Sequence, residues 1–317
     1  MKLKYSKVLL PLSIPVMLGL ILSSCGKTVN HPLTATGSVQ GIDSQPAATL
    51  FAKAKSLQAA GKNKAAIKTY AEIADKYPLS TQAPNARFEQ ASILNAQGDL
   101  ITSFNTYQKF IAKYNSSALY STAIQKQSEV ALAAAKGDIS HNFLGLKSKL
   151  AGETVEKMLV QVRDNAPYSA QAPKAQFAIG QIWQEREDKN RAIAGYRGVQ
   201  ERYPDDKLTP EALYRTGEIY LSQAATGNRN KAGLDSAKNV FLDLIQQYPS
   251  HPRAKDAKVK IVELKNSDIQ RSFDIAEFYL NKEQTASAAF YYREVISKSA
   301  SGSLREKAQQ RLKELGQ

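Results

Sequence analysis

Cysteine is nearly absent from this sequence of 317 residues, since Cys25 is the only one. A single thiol excludes an internal disulfide and a CxxC metal or redox site. Histidine and tryptophan are also scarce, being limited to His31, His141, His251 and Trp183. The histidines fall in predicted loops without a second ligand at helical spacing, so we expect no metal and no other cofactor.

The motifs of common enzyme chemistry are missing as well. The sequence contains no HExxH, no phosphate-cradling GxxxxGK[ST] and no GxSxG. The acidic residues Glu185, Glu187 and Asp188 are interpreted as a solvated turn between helices, not as an acid–base pair. We therefore expect no catalytic residues and no small-molecule substrate. An enzyme would need a site within residues 137–152, where His141 is the one chemical candidate.

Acidic residues are too few to balance the basic ones, and the formal net charge is +14. Removing Lys2, Lys4 and Lys7 with a leader peptide leaves +11. Such a charge favours anionic partners, such as nucleic acid, acidic proteins or a membrane surface. Lysines and arginines are scattered along predicted helices without a nucleic-acid-binding signature, so we predict a solvated basic surface and no nucleic-acid partner.

The one long apolar run, residues 8–22, follows three lysines and precedes small residues, as in a secretory signal peptide. It is shorter than the roughly 20 residues of a transmembrane helix, and Pro11 and Pro15 interrupt it. We predict a signal peptide over residues 1–24. Residues 25–46 are short, polar and without helical periodicity, which predicts a flexible tether spanning on the order of 25 Å.

The run ends in Leu22-Ser23-Ser24-Cys25, which resembles the lipobox of bacterial lipoproteins. The resemblance implies that Cys25 carries acyl chains such as palmitate, which anchor the protein in a membrane. No aspartate follows Cys25, and this pattern resembles that of lipoproteins sent to the outer membrane. The implied location is the outer membrane, with the body of the protein facing the periplasm.

Beyond the tether, a 13-residue helical pattern occurs six times. A small or short residue opens it, a bulky residue follows four positions later, and an apolar residue comes three positions after that, all on one helical face. Proline ends four of the copies, because the residue before proline disfavours the α region. The copies are residues 66–78, 103–115, 155–167, 192–204, 237–249 and 288–300.

A second pattern precedes several copies and predicts the first helix of each pair. Small residues lie on its packing face, with aromatic residues on either side, and they allow a neighbouring helix to approach closely. The small residues are Ala91, Gly180, Gly217 and Ala276. Residues 137–152 and 227–234 are insertions, the first helix of unit six is lengthened, and residues 301–315 form a capping helix.

The order of small, aromatic and proline residues resembles the tetratricopeptide consensus. We predict an all-α fold: a solenoid of six tetratricopeptide-like helix pairs with a C-terminal capping helix, over residues 47–317. The resemblance implies a protein-binding groove on the first helices. Its residues would be Phe88, Asn95, Gln125, Glu129, Phe177, Gln181, Gln184, Tyr214, Glu218 and Glu277.

The lipobox, tether, repeats and long helix running into AEFYLNKEQTASAAFYYREVI together resemble the BamD (YfiO/ComL-type) outer-membrane assembly lipoproteins. The family's role implies a subunit of the β-barrel assembly machinery. Its partners would be an outer-membrane barrel-assembly protein and unfolded outer-membrane proteins. Docking would use the last unit, at Lys282, Tyr291, Tyr292 and Arg293. The alternative is a tetratricopeptide scaffold for cell-wall or division machinery, because units one to four have a generic character.

Overall fold

The computed structural model describes residues 41–137, 140–143, 146–226 and 231–317. The predicted signal peptide, Cys25 and most of the tether lie outside these residues, as does part of the 227–234 insertion. The described chain folds into consecutive helices joined mainly by short turns. These are α1 (Gln45–Ala59), α2 (Asn63–Lys76), α3 (Ala83–Ala96), α4 (Leu100–Lys113), α5 (Tyr120–Lys136), α6 (Gly152–Asn165), α7 (Ala172–Glu185), α8 (Lys189–Arg202), α9 (Thr209–Thr226), α10 (Lys231–Gln247), α11 (Pro252–Asn281), α12 (Thr285–Lys298) and α13 (Ser303–Glu314).

The predicted all-α solenoid is confirmed. Helices α1 to α12 form six pairs, α13 packs on the last pair as a cap, and each helix contacts the next one along the chain. The predicted packing face of the second helices is the buried one. In α2, for example, Ala66, Tyr70 and Ile73 are fully buried, as the spacing of four and three residues requires.

Local sequence sets the helix ends. Asp99 and Asp188 cap α4 and α8, because their carboxylates accept hydrogen bonds from the backbone N–H groups of Thr102 (3.3 Å) and Arg191 (3.0 Å). Proline stands in the first turn of α3, α7 and α11, where a missing N–H costs nothing. Helices α3, α4, α7 and α8, which carry these signals, are each 14 residues long.

Aromatic pairs join the two helices of five units. A ring on the first helix packs on a ring of the second, usually 19 residues later, with centroids 5.2–5.7 Å apart. Unit three has Leu159 at the second position. The pairs are Phe51–Tyr70, Phe88–Tyr107, Phe177–Tyr196, Tyr214–Phe241 and Phe273–Tyr292.

The insertion in unit three contains an antiparallel hairpin, which the sequence analysis did not predict. Strand β1 (Ser140–Phe143) pairs with β2 (Leu146–Lys149), with Ser140 opposite Lys149. The lengthened first helix of unit six is confirmed as α11, which has 30 residues. Its first half packs in the core of unit five through Ala257, and its second half packs in the core of unit six through Ile269 and Ala276.

No helix in the described part of the chain is both long enough and apolar enough to span a membrane.

Candidate protein-binding surfaces

The aromatic residues predicted to line a groove belong to the core. Phe177 and Tyr214 are buried, and Phe88 is half-buried against Tyr107. Each ring is the first member of an aromatic pair between the two helices of its unit. These three residues therefore stabilise the units and offer little surface to a partner, which corrects that part of the groove prediction.

Two of the predicted polar groove residues are engaged by buried tyrosines. The hydroxyl of Tyr196 donates a hydrogen bond to Oε1 of Gln184 (2.6 Å), and that of Tyr292 donates one to Oε1 of Glu277 (2.6 Å). Burial raises the pKa of Tyr196 above its usual value, so the hydroxyl stays protonated and remains a donor. Gln184 and Glu277 are thus held in fixed positions at the edge of the core.

The other polar candidates lie along successive first helices. Gln125 and Glu129 are exposed on α5, where Nε2 of Gln125 donates to Oε1 of Glu129 (3.0 Å). Gln181 is exposed on α7, and Asn95 is half-buried at the end of α3. The structure does not bring all of the predicted groove residues into one cavity.

A cleft of about 680 Å³ does join Gln184 with Glu218. It lies between α7, α8 and α9, and its other lining residues include Arg215, Ile219 and Ser222. An amide, an apolar side chain and charges of both signs thus share one recess. Such a lining can accept backbone hydrogen bonds and an apolar side chain from an extended peptide.

A charged network fixes one wall of this cleft to the next unit. Glu211 on α9 accepts hydrogen bonds from Nε of Arg215 (2.9 Å) and from Nε and Nη2 of Arg253 on α11 (2.5 and 3.0 Å). The Arg253 guanidinium also lies 4.4 Å from the ring centroid of Tyr214 and bonds Asp256. Arg253 therefore links units five and six through charge and through stacking.

The pKa of Glu211 reflects this position. Burial of the carboxyl opposes its ionisation, but the hydrogen bond and charge of Arg253, together with Arg215, outweigh burial and lower the pKa below its usual value. A lowered pKa in the folded state means that the ionised carboxylate stabilises the fold above the unfolded-state pKa. That stabilisation is lost as the pH falls through the folded-state pKa.

We expect Glu211→Gln to lower the free energy of unfolding by about 1–2 kcal/mol at neutral pH, because two arginines lose a charged acceptor. The difference from the parent should shrink on acidification below the usual glutamate pKa, where Glu211 itself becomes neutral. Urea unfolding of the parent and the variant, at neutral pH and below the usual glutamate pKa, measures this difference in the free energy of unfolding. Glu201→Gln is the control, since its pair with Arg197 is exposed and long (3.6 Å), and it should change stability little. An equal loss at both pH values would contradict the role of the charge.

The predicted docking residues on the last unit fall into two groups. Tyr292 is fully buried and belongs to the core, so it is removed from the docking surface. Tyr291 is half-buried, whereas Lys282 and Arg293 are exposed. Arg293 donates a hydrogen bond to the side chain of Gln317.

Tyr291 belongs to a chain of four rings at the surface. It stacks on Tyr279, with centroids 5.6 Å apart and ring planes 10° apart, and it contacts Phe290 edge-on at 5.3 Å. Phe278 contacts Tyr279 at 5.5 Å, and the ammonium of Lys282 lies 5.9 Å from the Phe278 ring. We call Phe278, Tyr279, Phe290 and Tyr291 the aromatic surface.

Two members of this surface were missed by the sequence analysis. The side chains of Phe278 and Phe290 are 57% and 63% exposed, among the most exposed large apolar residues described. On α12 the buried positions are Ala288, Ala289, Tyr292 and Val295, so Phe290 lies outside the buried face of the helix. The sequence signal for this surface was that Phe290 is an aromatic residue outside the spacing of the buried residues. Contiguous exposed aromatic area of this kind is typical of protein-binding sites.

The described residues contain no group of three or more histidine, cysteine or carboxylate side chains placed to hold a metal ion. His251 lies in the predicted turn, where its Nδ1 accepts a hydrogen bond from the backbone N–H of Arg253 (3.2 Å) and caps α11. His141 lies on β1.

Models of two known protein families match this chain, one toward each end of the solenoid. The model of the YfiO family, described as outer membrane lipoprotein, matches residues 147–314, which is more than half of the chain. The chain belongs to the YfiO family of outer membrane lipoproteins. The matched region runs from β2 to the end of the cap and includes the cleft, the charged network and the aromatic surface. A tetratricopeptide repeat model matches residues 48–80, which cover the first helix pair of this YfiO protein except the first three residues of α1.

Among individual proteins, the YfiO chain is similar to the outer membrane protein assembly factor BamD of Caulobacter vibrioides. The two are 28% identical over 96 residues, which is 30% of this chain and 32% of the relative. The match thus spans about a third of that relative's length.

Solved structures of two tetratricopeptide repeat proteins are also similar. One, from Parabacteroides merdae, has 12% identity and a TM-score of 0.33, and the match covers 86% of this chain and 100% of that one. The other, from Thermus thermophilus, has 18% identity and a TM-score of 0.30, with 69% and 98% covered. The fold assignment itself rests on the six helix pairs described above.

Proposed function

We propose that this protein is a non-catalytic scaffold subunit of the machinery that assembles β-barrel proteins in the outer membrane. Acyl chains on Cys25 would anchor it to that membrane, and the helical body would face the periplasm. Its proposed partners are an outer-membrane barrel-assembly protein and unfolded outer-membrane proteins. The similarity to a relative named as an outer membrane protein assembly factor supports this proposal.

The observation that carries the proposal is the aromatic surface on the last unit. It lies inside the region matched by the family model, and it contains Tyr291, which is one of the docking residues expected from the sequence. Lys282 and Arg293 flank the rings with positive charge. Exposed rings with basic residues at the rim are a favourable composition for a protein interface. We assign the barrel-assembly partner to this surface.

The cleft between α7 and α9 is the proposed site for an extended segment of an unfolded client. Gln184 is held by Tyr196, while Arg215 and Glu218 form a pair at 3.6 Å. A rigid amide and a polarised rim can bond a peptide backbone without selecting one sequence. A scaffold that handles many clients requires such tolerance.

Affinity purification of the tagged, full-length protein from its native membranes in mild detergent tests the assembly role. We expect an outer-membrane barrel protein with periplasmic domains to co-purify in stoichiometric amount. Recovery of cell-wall or division proteins without a barrel protein would contradict the assembly role and favour an envelope scaffold of another kind.

A further inference from the structure

The basic residues are less evenly scattered than the sequence analysis predicted, because lysines outnumber carboxylates most strongly in the first helix pair. Residues 45–76 contain six lysines and two carboxylates, a net charge of +4, whereas the second pair, residues 83–113, carries three basic residues and two acidic ones. From residue 44 to residue 71 there are five lysines and no acidic residue. We call these five the lysine patch: Lys53, Lys55, Lys62, Lys64 and Lys68.

All five side chains of the lysine patch are exposed, and none belongs to an ion pair among the described residues. Lys76 differs, because its Nζ lies 2.8 Å from Oε1 of Glu72. The pKa of Glu72 is lowered by the hydrogen bond and charge of Lys76, and further by Lys53 and Lys68. Lys64, Lys68 and Glu72 are four residues apart along α2 and therefore share one face of that helix. Lys53 of α1 also lowers the pKa of Glu72 and so lies near the same face.

The chain reaches this helix pair from the tether at a fixed point. The backbone N–H of Ile42 donates to the carbonyl of Leu79 (2.7 Å), and the N–H of Thr81 donates to the carbonyl of Ile42 (3.3 Å). The tether therefore leaves the body beside the C-terminal end of α2. Sixteen residues separate Cys25 from Ile42. If they form the tether that the sequence predicts, a random coil of that length would span about 20–25 Å.

We propose that the lysine patch docks on the anionic phospholipid head groups of the membrane that holds the acyl anchor. The location of the anchor rests on the proposed function. The tether keeps the patch at a high effective concentration beside that surface, so weak charge attraction is enough. Each lysine near an anionic leaflet contributes a roughly fivefold factor to the docked-to-free ratio. A membrane-docked unit one would direct the aromatic surface, at the other end of the solenoid, toward partners.

The test uses the full-length acylated protein in proteoliposomes, with Ser56→Cys carrying a fluorophore on the exposed side of α1. Because acylation occupies Cys25, the label attaches at position 56 alone. A lipid-borne quencher reports contact with the head groups. We expect strong quenching in vesicles containing phosphatidylglycerol, weak quenching in phosphatidylcholine alone, and relief by high salt.

The decisive variant combines Lys53→Gln, Lys62→Gln, Lys64→Gln and Lys68→Gln. Glutamine keeps helix propensity, so folding should persist. We expect the docked-to-free ratio to fall by at least about tenfold. The matched control, which removes the same charge from exposed lysines of α10 and α11, should leave quenching unchanged. It combines Lys238→Gln, Lys255→Gln, Lys258→Gln and Lys265→Gln.

Unchanged quenching in the patch variant, or an equal loss in the control, would overturn the docking. Flotation and the mass of the purified chain report the anchor separately. If Cys25 carries no acyl chain, the tether supplies no effective concentration, and the docking proposal is overturned together with the anchor. An acylated protein whose quenching is unchanged in the patch variant overturns the docking alone.

Discussion

Gly195→Ala is expected to destabilise the protein by about 2 kcal/mol, although alanine is the better helix former by about 1 kcal/mol. A Cβ at position 195 would lie 2.5 Å from the backbone nitrogen and 2.6 Å from the Cα of Gly180. The obstacle is the backbone of α7, which no rotamer change removes. Helices α7 and α8 would have to separate, and the Tyr196–Gln184 hydrogen bond at the cleft would lengthen.

Urea unfolding of the purified variant measures this effect. The exposed neighbour provides the control: Ala194→Gly should cost only the loss of helix propensity, about 1 kcal/mol. A Gly195→Ala protein as stable as the parent, or more stable, would show that α7 and α8 adjust without cost. The close approach of Gly180 and Gly195 would then have no role in setting the cleft.

The helix pairs could be predicted because their signal is physical and repeated. A buried stripe needs apolar residues at spacings of three and four, and α12 satisfies it with Ala288, Tyr292 and Val295, all fully buried. Proline and the capping residue Asp188 mark where helices begin or end, which the spacing of apolar residues alone does not define. Because one pattern occurs six times, the solenoid could be predicted even in unit three, where Leu159 replaces an aromatic residue.

The candidate surfaces were less predictable, because the groove residues were chosen by their position in the repeat and not by what surrounds each side chain in the fold. The tetratricopeptide resemblance selected Phe177 and Tyr214, whose rings instead fill the gap to the paired helix. It did not select Phe278 or Phe290, whose exposure depends on which sides of α11 and α12 remain uncovered at the end of the array. Tertiary packing decides that exposure, and the sequence signal for it is limited to Phe290, which falls outside the spacing of the buried residues on α12.

The hairpin of unit three illustrates a different limit. Its residues interrupt the helical period, so the sequence revealed an insertion between α5 and α6. The paired strands are only four residues long each. A short two-stranded hairpin has little intrinsic stability, and its pairing depends on the surrounding fold.

The combined variant Phe278→Ser and Phe290→Ser is expected to reduce recovery of the barrel-assembly partner at least about tenfold, because large exposed rings at the centre of an interface carry much of its energy. The stability of the free protein should change little, since both side chains are more than half exposed. Quantitative co-purification measures the first effect, and thermal unfolding measures the second.

The matched control for this variant is Val259→Ser combined with Val262→Ser. These valines lie on the same helix as Phe278, and their exposed fractions, 51% and 56%, are close to that of Phe278. If removal of exposed apolar area in general weakened the complex, both variants would lose the partner. Loss in the phenylalanine variant alone would assign the partner to the aromatic surface. Retention of the partner in that variant would instead remove the surface from the interface and leave its exposed rings without a function.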